Sequence, residues 1–262
     1  MGPRVPRGYR ESTHRGTRLV AREDAHDVLR GILDTSTLHD WAGRQPDAKA
    51  MRGRGTTWAT ALPSGLRVAV RHSMRGGLMA RLSRDLFLGG TRAPRELANA
   101  LRLAEAGVRT PAVIGYAEYP AAGLLCRADV VTEFVEGVDL VTALRDYTGH
   151  AERHEIRVAV SHLLGALWDI GAVHPDLNAR NILVVQPFTE RLAYVLDVDR
   201  VKFGRREDHR IPGGMRNSMR LQESLRKAQA AEQIHFAMNE VSSLASFPTG
   251  RERGIIAPPP RL

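Results

Sequence analysis

The stretch VHPDLNARNILVV, residues Val173–Val185, gathers hydrogen-bonding side chains directly before a run of aliphatic residues. The aliphatic run is short and rich in β-branched residues, which predicts a buried strand. One interpretation of the polar part is a turn in which Asp and Asn side chains bind their own backbone. The other is a catalytic loop that presents polar groups at the start of a rigid strand. The second interpretation requires partner residues elsewhere in the chain.

The sequence around this stretch divides into a β-rich half and a helical half. Up to about residue 135, segments such as TTWATAL, LRVAVRH and AVIGYAEY cluster or alternate like strands, and APRELANALRLAEAG has helical spacing up to Gly107. A short helix is also predicted from Glu23 to Leu33. The later half is mainly helical, except for NILVV and AYVLDVD, which predict a strand pair. These patterns predict an α+β fold with a small β-rich N-lobe holding one helix, a mainly helical C-lobe, and a cleft between them.

We predict four segments along the chain. A flexible basic arm covers residues 1–20, because this stretch is rich in Pro, Gly and Arg without periodicity. The N-lobe covers residues 21–135 and the C-lobe residues 136–245. The last segment, residues 246–262, contains three consecutive prolines and is predicted to be disordered.

Composition restricts the class of protein. The 262 residues contain no apolar run near the roughly 20 residues of a membrane span and no secretory signal, so we expect a cytosolic protein. Cys126 is the single cysteine, which excludes a disulfide framework within the chain. The formal charge of +9 should attract anions. The basic residues are not interleaved with aromatic ones, so we do not expect nucleic acid as a partner.

The polar residues of the opening stretch have the spacing of a protein-kinase catalytic loop. His174, Pro175 and Asp176 take the place of H-R-D, and Asn181 follows Asp176 by five residues, as the signature requires. Asp197 directly follows a further apolar strand, where the D-F-G aspartate would sit. In this arrangement Asp176 orients an attacking hydroxyl, while Asn181 and Asp197 bind Mg²⁺. Each residue alone also has an ordinary explanation as a cap, a turn or a buried histidine.

The N-lobe supplies the expected nucleotide-binding partners. GRGTTWA contains a G-x-G whose amides can approach phosphates, although the third glycine of the kinase loop is absent. Arg71 occupies the strand position where protein kinases carry Lys, with His72 and Arg75 as alternative cations, and Glu96 lies in the N-lobe helix as its partner. Including the start of the connector between the lobes, the predicted nucleotide-binding residues are Gly53, Gly55, Thr56, Arg71, Glu96, Glu133 and Val135.

Together these segments resemble the 3-deoxy-D-manno-octulosonic acid (Kdo) kinases, a lipopolysaccharide kinase group with a protein-kinase-like fold. The resemblance runs from about Arg52 to Lys227 and is carried by GRGTTW, VAVRHSMRGGL, RELANALRLAEAGVRTPAV, HPDLNARNILV, VLDVDRVKFG and NSMRLQESLRK. It implies that Arg71 is the expected strand cation. It also implies ATP- and Mg²⁺-dependent phosphorylation of a Kdo hydroxyl on a lipid A precursor, at the inner face of the bacterial inner membrane. The catalytic residues implied are His174, Asp176 and Asn178.

Three other functions stay open at this point. An inner-core heptose kinase would use the same residues on another sugar. A protein kinase is suggested by DLNARN, which resembles the D-L-A-A-R-N loop of tyrosine kinases, but no A-P-E segment follows Asp197. A catalytically silent kinase-like binding module is the third alternative, although the retained Asp176, Asn181 and Asp197 argue against it.

The basic charge has two interpretations. If the chain works on an anionic lipid, arginines would hold it reversibly at an anionic membrane surface. Otherwise they form an ordinary solvated, arginine-rich face. The candidate membrane-binding residues are Arg4, Arg7, Arg10, Arg75, Arg81, Arg84, Arg205 and Arg206.

Overall fold

The computed structural model describes residues 5–51, 56–74, 85–121, 123–186, 190–204, 213–231 and 234. Backbone contacts divide the chain into two compact units. The first unit comprises Met1–Ala100 and Ala112–Phe134, and the second comprises Leu101–Pro111 and Val135–Leu262. The predicted proline-rich tail over residues 246–262 lies outside the described ranges.

The first unit is built on an antiparallel sheet of eight strands, with the order β1-β2-β7-β8-β5-β4-β3 and with β6 paired to β8. Most of the strands are rich in β-branched and aliphatic residues, which favour a pleated, half-buried surface. Their bounds are β1 Tyr9–His14, β2 Thr17–Arg22, β3 Lys49–Met51, β4 Thr57–Ala61, β5 Arg67–His72, β6 Phe87–Leu88, β7 Val113–Pro120 and β8 Leu125–Glu133.

Helices α1 (His26–Ile32) and α2 (Leu38–Gly43) pack on this sheet, and α3 (Ala93–Glu105) follows β6. Helix α2 begins where the Thr37 hydroxyl accepts a hydrogen bond from the amide of Asp40. The predicted helices from Glu23 and from Ala93 are both confirmed, whereas α2 was not predicted. The core between the sheet and α1 and α2 is aliphatic and includes Leu19, Leu29, Leu38, Val68, Val70, Ile114 and Val131.

The structure differs from the flexible arm expected over residues 1–20. Strands β1 and β2 form a hairpin, and the Tyr9 hydroxyl donates a hydrogen bond of 2.5 Å to the carbonyl oxygen of Val113. The two turn residues, Arg15 and Gly16, both have positive φ, at 47° and 80°. This is the geometry of a tight two-residue hairpin turn. The amino-acid composition did not predict this hairpin, because an Arg-Gly turn and charged strand residues resemble a disordered basic segment.

The second unit is mainly helical, as predicted. Its helices are α4 (Leu140–Asp146), α5 (His150–Asp169) and α6 (Gly213–Ala230). The predicted strand pair is also confirmed, since β11 (Ile182–Val185) pairs with β12 (Leu192–Val195) and with the short β9 (Val138–Asp139). A second small sheet joins β10 (Ala172–Val173) to β13 (Lys202–Phe203).

Helix α5 buries one face of aliphatic residues at helical spacing, and β12 packs against it. Two 3₁₀ turns, Ala179–Asn181 and Val198–Arg200, precede β11 and follow β12. The two loops that contain the predicted catalytic and metal-binding residues therefore lie at the ends of short paired strands. Within the described ranges, none of the helices combines the length and apolar character that a bilayer crossing requires.

Gly171, between α5 and β10, is predicted to be the glycine least tolerant of alanine in this unit. Its φ is +64°, and an added methyl group would overlap the carbonyl oxygen of Gly204. Gly107 has a similar φ of +77° but open space around it, so it is a matched control. We expect Gly171→Ala to lower the free energy of unfolding by about 2 kcal/mol more than Gly107→Ala does in urea denaturation. Equal losses for the two variants would contradict the predicted overlap.

Candidate active site

The loop between β10 and β11 is held by hydrogen bonds from its own asparagines. The Asn178 side-chain oxygen accepts from the amides of Arg180 and Asn181 at 3.0 and 3.2 Å and so caps the 3₁₀ turn. The Asn178 and Asn181 side-chain amides both donate to the carbonyl oxygen of Asp176, at 3.1 and 2.8 Å. The polar residues therefore bind their own backbone, as the simple-turn interpretation requires. The same bonds fix the backbone of the half-buried Asp176.

His174 connects this loop to the segment that ends in Asp197. The imidazole is fully buried. Its Nδ1 accepts a hydrogen bond of 3.2 Å from the amide of Asp176, and its Nε2 lies 3.0 Å from the carbonyl oxygen of Leu196. Because a carbonyl oxygen only accepts, Nε2 must carry the proton. Burial lowers the pKa of His174, so the neutral ring is favoured.

Helix α6 hydrogen-bonds to the residues at the start of the same loop. The side-chain oxygen of Asn217 accepts from the amide of His174 at 3.0 Å, and its nitrogen donates to the carbonyl oxygen of Ala172 at 2.8 Å. Asn217 is itself fully buried. Sequence reasoning missed this residue, although an Asn within the apolar spacing of a helix is a signal for such a contact.

Asp197 lies at the end of β12 in a left-handed backbone conformation, with φ 54° and ψ 51°. This conformation is uncommon for a residue other than glycine, and such residues concentrate at functional sites. The side chain is exposed, and the preceding amide, of Leu196, donates to the carbonyl oxygen of Asn181 at 2.9 Å. The predicted metal-binding residues Asn181 and Asp197 therefore lie on neighbouring, hydrogen-bonded strand ends.

The donor chemistry of this pair fits Mg²⁺. Asn181 uses its side-chain nitrogen on the Asp176 carbonyl, so its amide oxygen is the end left for a cation. In the part of the chain that the structure describes, no cluster of three or more His, Cys, Asp or Glu could hold a metal ion alone. Mg²⁺ is commonly held by one or two carboxylates together with phosphate oxygens of a substrate. One carboxylate and one amide oxygen match that kind of shared site.

In the first unit, the structure brings together Arg71 and Glu96. The Arg71 guanidinium donates to the Glu96 carboxylate, which is only 5% exposed. A charge-assisted bond at a buried carboxylate is strong and geometrically specific. Of the other predicted nucleotide-binding residues, Gly53 and Gly55 lie outside the described residues. Thr56 is exposed, and its carbonyl oxygen accepts from His39 Nε2 at 2.9 Å.

The two connector residues are placed as follows. Glu133 ends β8, and its amide donates to the carbonyl oxygen of Ala112 at 2.8 Å. Val135 is half-buried at the start of the second unit. The roles in nucleotide binding assigned to Glu133, Val135 and Thr56 stay predictions.

A buried carboxylate that sequence reasoning missed lies next to His72, the residue after Arg71. Asp129 is fully buried and accepts from His72 Nδ1 at 2.6 Å, from the Tyr119 hydroxyl at 2.9 Å and from the His39 amide at 2.9 Å. His72 is therefore bound to Asp129 and is a poor substitute for Arg71, and Arg75 lies outside the described residues. An aspartate within the apolar strand LCRADVVTE was the signal available in the sequence.

Known proteins similar to this chain were found by sequence and by structure. The Lipopolysaccharide kinase (Kdo/WaaP) family matches residues 39–238. A 3-deoxy-D-manno-octulosonic acid kinase of Photobacterium profundum is 33% identical over 191 residues, which cover 71% of this chain and 76% of that protein. A protein of the same name from Vibrio vulnificus is 32% identical over 165 residues, which cover 61% of this chain and 66% of the relative. That second match spans slightly less than two thirds of the relative.

Among solved structures, WaaP in complex with acyl carrier protein matches with a TM-score of 0.53 at 18% identity. The match covers 87% of this chain and 86% of that one. Similarity at this level shows a shared fold, and it confirms the predicted protein-kinase-like fold class.

The bond between His72 and Asp129 predicts a pH dependence of stability. The hydrogen bond to the buried carboxylate raises the pKa of His72 above its usual 6.5. A raised folded-state pKa adds stability that is fully present below the unfolded value and is lost as pH rises through the folded value. We expect the stability difference between wild type and His72→Gln to be largest below about pH 6.5 and to shrink as pH rises above that value in urea denaturation.

His150→Gln, which alters an exposed histidine at the start of α5, is the matched control for this measurement. This control measures the effect of losing an exposed histidine that is not part of the unit containing Asp129. A His72→Gln difference that changes no more with pH than the His150→Gln difference would contradict the proposed protonation of His72.

Proposed function

The chain belongs to the lipopolysaccharide kinase (Kdo/WaaP) family, and on this basis we propose that it is an ATP-dependent kinase that phosphorylates a sugar hydroxyl of the lipopolysaccharide inner core. The acceptor in this proposal is Kdo on a Kdo-lipid A precursor. The observation that carries the proposal is the fixed loop around Asp176, which is hydrogen-bonded through His174 to the segment before Asp197. A loop held this tightly suits a reaction in which positioning supplies most of the rate enhancement.

Asp176 is the residue proposed to orient the attacking hydroxyl and to accept its proton. Asn178 and Asn181 hold its backbone carbonyl, so the loop that carries the carboxylate is fixed. His174 is fully buried with both ring nitrogens hydrogen-bonded, so we assign it a positioning role rather than contact with substrate.

Asn181 and Asp197 are the residues that would hold Mg²⁺, which would supply positive charge to neutralise the nucleotide phosphates. Arg71 is proposed to bind nucleotide phosphates while Glu96 fixes the orientation of its guanidinium. The charge on Arg71 persists at any physiological pH, so this interaction needs no proton transfer.

An acceptor panel tests the proposed function. Radiolabelled ATP is offered with a Kdo-lipid A precursor, a heptose-bearing inner-core lipid, casein and a poly-Glu-Tyr peptide. We expect label in the Kdo-lipid alone. Label in the heptose lipid alone, in a protein acceptor alone, or in none of the four would each overturn the assignment of Kdo as the acceptor.

Removal of the two carboxylates should abolish transfer by different routes. We expect Asp176→Ala to lower the transfer rate by about 100-fold or more while Mg-ATP still binds. Asp197→Ala should weaken Mg-ATP binding by about tenfold or more, a loss of about 1.4 kcal/mol. Calorimetric titration with Mg-ATP separates the two, and Asp146→Asn, at an exposed aspartate ending α4, is the charge control. Wild-type Mg-ATP affinity in Asp197→Ala would contradict its assignment to the metal.

Arg71→Lys keeps the charge but loses the planar fork that binds Glu96. We expect the KM for ATP to rise about tenfold, because the phosphate contact is no longer oriented. Arg67→Lys, at an exposed residue of the same strand whose guanidinium lies over the Phe134 ring, is the matched control and should change this KM less than twofold. Near-normal KM values in both Arg71→Lys and Glu96→Gln would remove the proposed role of the pair.

We propose that the chain is cytoplasmic and binds reversibly to the inner face of the inner membrane. Its support is the net charge of +9 and the anionic acceptor. Of the candidate arginines, Arg7 is exposed, whereas Arg10 is bound to Asp27. The candidates that lie outside the described residues are Arg4, Arg75, Arg81, Arg84, Arg205 and Arg206.

Co-sedimentation with vesicles tests the membrane proposal. Binding should require anionic lipid and should fall steeply as salt rises, because each arginine near the surface contributes about 1 kcal/mol that salt screens. Equal binding to neutral and anionic vesicles would contradict it.

A further inference from the structure

An open pocket lies beside the Asp176 loop within the second unit. Its volume is about 310 Å³, at the lower end of the range typical of small-molecule sites. Helix α4, the 3₁₀ turn before β11 and helix α6 contribute its walls. The lining residues are Val141, Asn178, Arg180, Ser224, Lys227 and Ala228.

The lining of this pocket is cationic. Among the residues that the structure describes, it contains the exposed side chains of Arg180 and Lys227 and no carboxylate. Lys227 forms an ion pair of 3.3 Å with Glu223, but these side chains are 75% and 57% exposed. Exposed pairs of this kind contribute little, about 0 to 1 kcal/mol, so an anion entering the pocket can compete for the Lys227 ammonium.

Two neutral polar groups complete the lining. The Ser224 hydroxyl oxygen accepts from the amide of Ala179 at 3.0 Å, and its own hydrogen can still be donated to a ligand. Asn178 joins the pocket to the proposed catalytic carboxylate, since its side-chain nitrogen lies 3.5 Å from the Asp176 carboxylate. A molecule in contact with Asn178 in the pocket therefore lies one side chain away from Asp176.

We propose that this pocket binds an anionic group of the acceptor, a carboxylate or a phosphate, through Arg180 and Lys227. The inference rests on the proposed function and adds to it a site that selects an acidic glycolipid over a neutral one. The planar Arg180 guanidinium matches two oxygens of a carboxylate or phosphate, and Lys227 adds a mobile point charge. The Ser224 hydroxyl supplies a further donor, and the apolar Val141 and Ala228 border the polar groups.

Steady-state kinetics with the Kdo-lipid A precursor test the pocket. Arg180→Gln and Lys227→Gln should each raise the KM for this acceptor about tenfold, with smaller effects on kcat and on the KM for ATP. Arg226→Gln is the matched control, because it removes the same charge from the neighbouring, exposed position of α6, which does not line the pocket. Its acceptor KM should stay within twofold of wild type. Equal effects of Arg226→Gln and Lys227→Gln, or an increase confined to the KM for ATP, would overturn the proposal.

Equilibrium binding to the full chain separates the two sources of the anion and does not depend on transfer. The probes are free Kdo, which carries only a carboxylate, its neutral methyl ester, and inorganic phosphate. Binding of Kdo but not its ester assigns the sugar carboxylate, and binding of phosphate assigns a lipid phosphate. In either case the Arg180→Gln, Lys227→Gln double variant should lose the binding. If neither anion binds, or if binding is unchanged in the double variant, the assignment of this pocket to anion binding is overturned.

The two experiments also distinguish failure of the pocket from failure of the proposed function. If wild type transfers no phosphate to any lipid but still binds Kdo through Arg180 and Lys227, the pocket stands and the kinase assignment fails. If transfer occurs with an acceptor KM that neither substitution changes, the assignment stands and the pocket fails.

Discussion

The buried, neutral imidazole of His174 is the constraint on which the proposed active site depends. Its two nitrogens join the amide of Asp176 to the carbonyl oxygen of Leu196, so that one ring spans the two loops that carry acidic residues. A protonated ring could not accept from the Asp176 amide, and a charged group at this depth would be costly. Burial lowers the pKa of His174 and so favours the neutral ring. The neutral ring is the form that makes both hydrogen bonds and thus joins the two loops.

In the first unit, two side chains of strand β5 are likewise held in place by buried partners. Successive residues of a strand point to opposite faces, and here Arg71 meets Glu96 of α3 while His72 meets its cross-strand neighbour Asp129. Each of these two side chains therefore has a nearly or fully buried carboxylate that fixes its direction. Asp129 additionally binds the amide of His39 at the start of α2, whose imidazole reaches the carbonyl oxygen of Thr56 beyond the G-x-G segment. Buried polar groups with full hydrogen bonding make such an arrangement rigid.

Local sequence signals predicted the parts of the fold that depend on local periodicity and spacing. Helix α3, strands β11 and β12, and the positions of Asp176, Asn181 and Asp197 at strand ends follow from apolar runs and from residue spacing along the chain. The β1–β2 hairpin was hidden, because its turn depends on the backbone angles of Arg15 and Gly16 rather than on composition.

The contacts that the sequence did not reveal join residues far apart in the chain. Asp129 meets His39 and His72 at separations of 90 and 57 residues, and Asn217 meets His174 at 43. The proposed acceptor pocket likewise combines residues of α4, the Asp176 loop and α6. Local sequence patterns do not predict such long-range contacts. These side chains are brought together by the packing of the helices and strands.

The most direct test of the His174 constraint is ¹⁵N NMR of the histidine rings in the intact chain over a pH series. A neutral His174 with its proton on Nε2 should persist below the usual histidine pKa of about 6.5. It should also persist after addition of Mg-ATP, since the ring contacts only the protein backbone. Protonation of His174 at or above the usual pKa, or a neutral ring with its proton on Nδ1, would contradict the proposed linkage between the two loops.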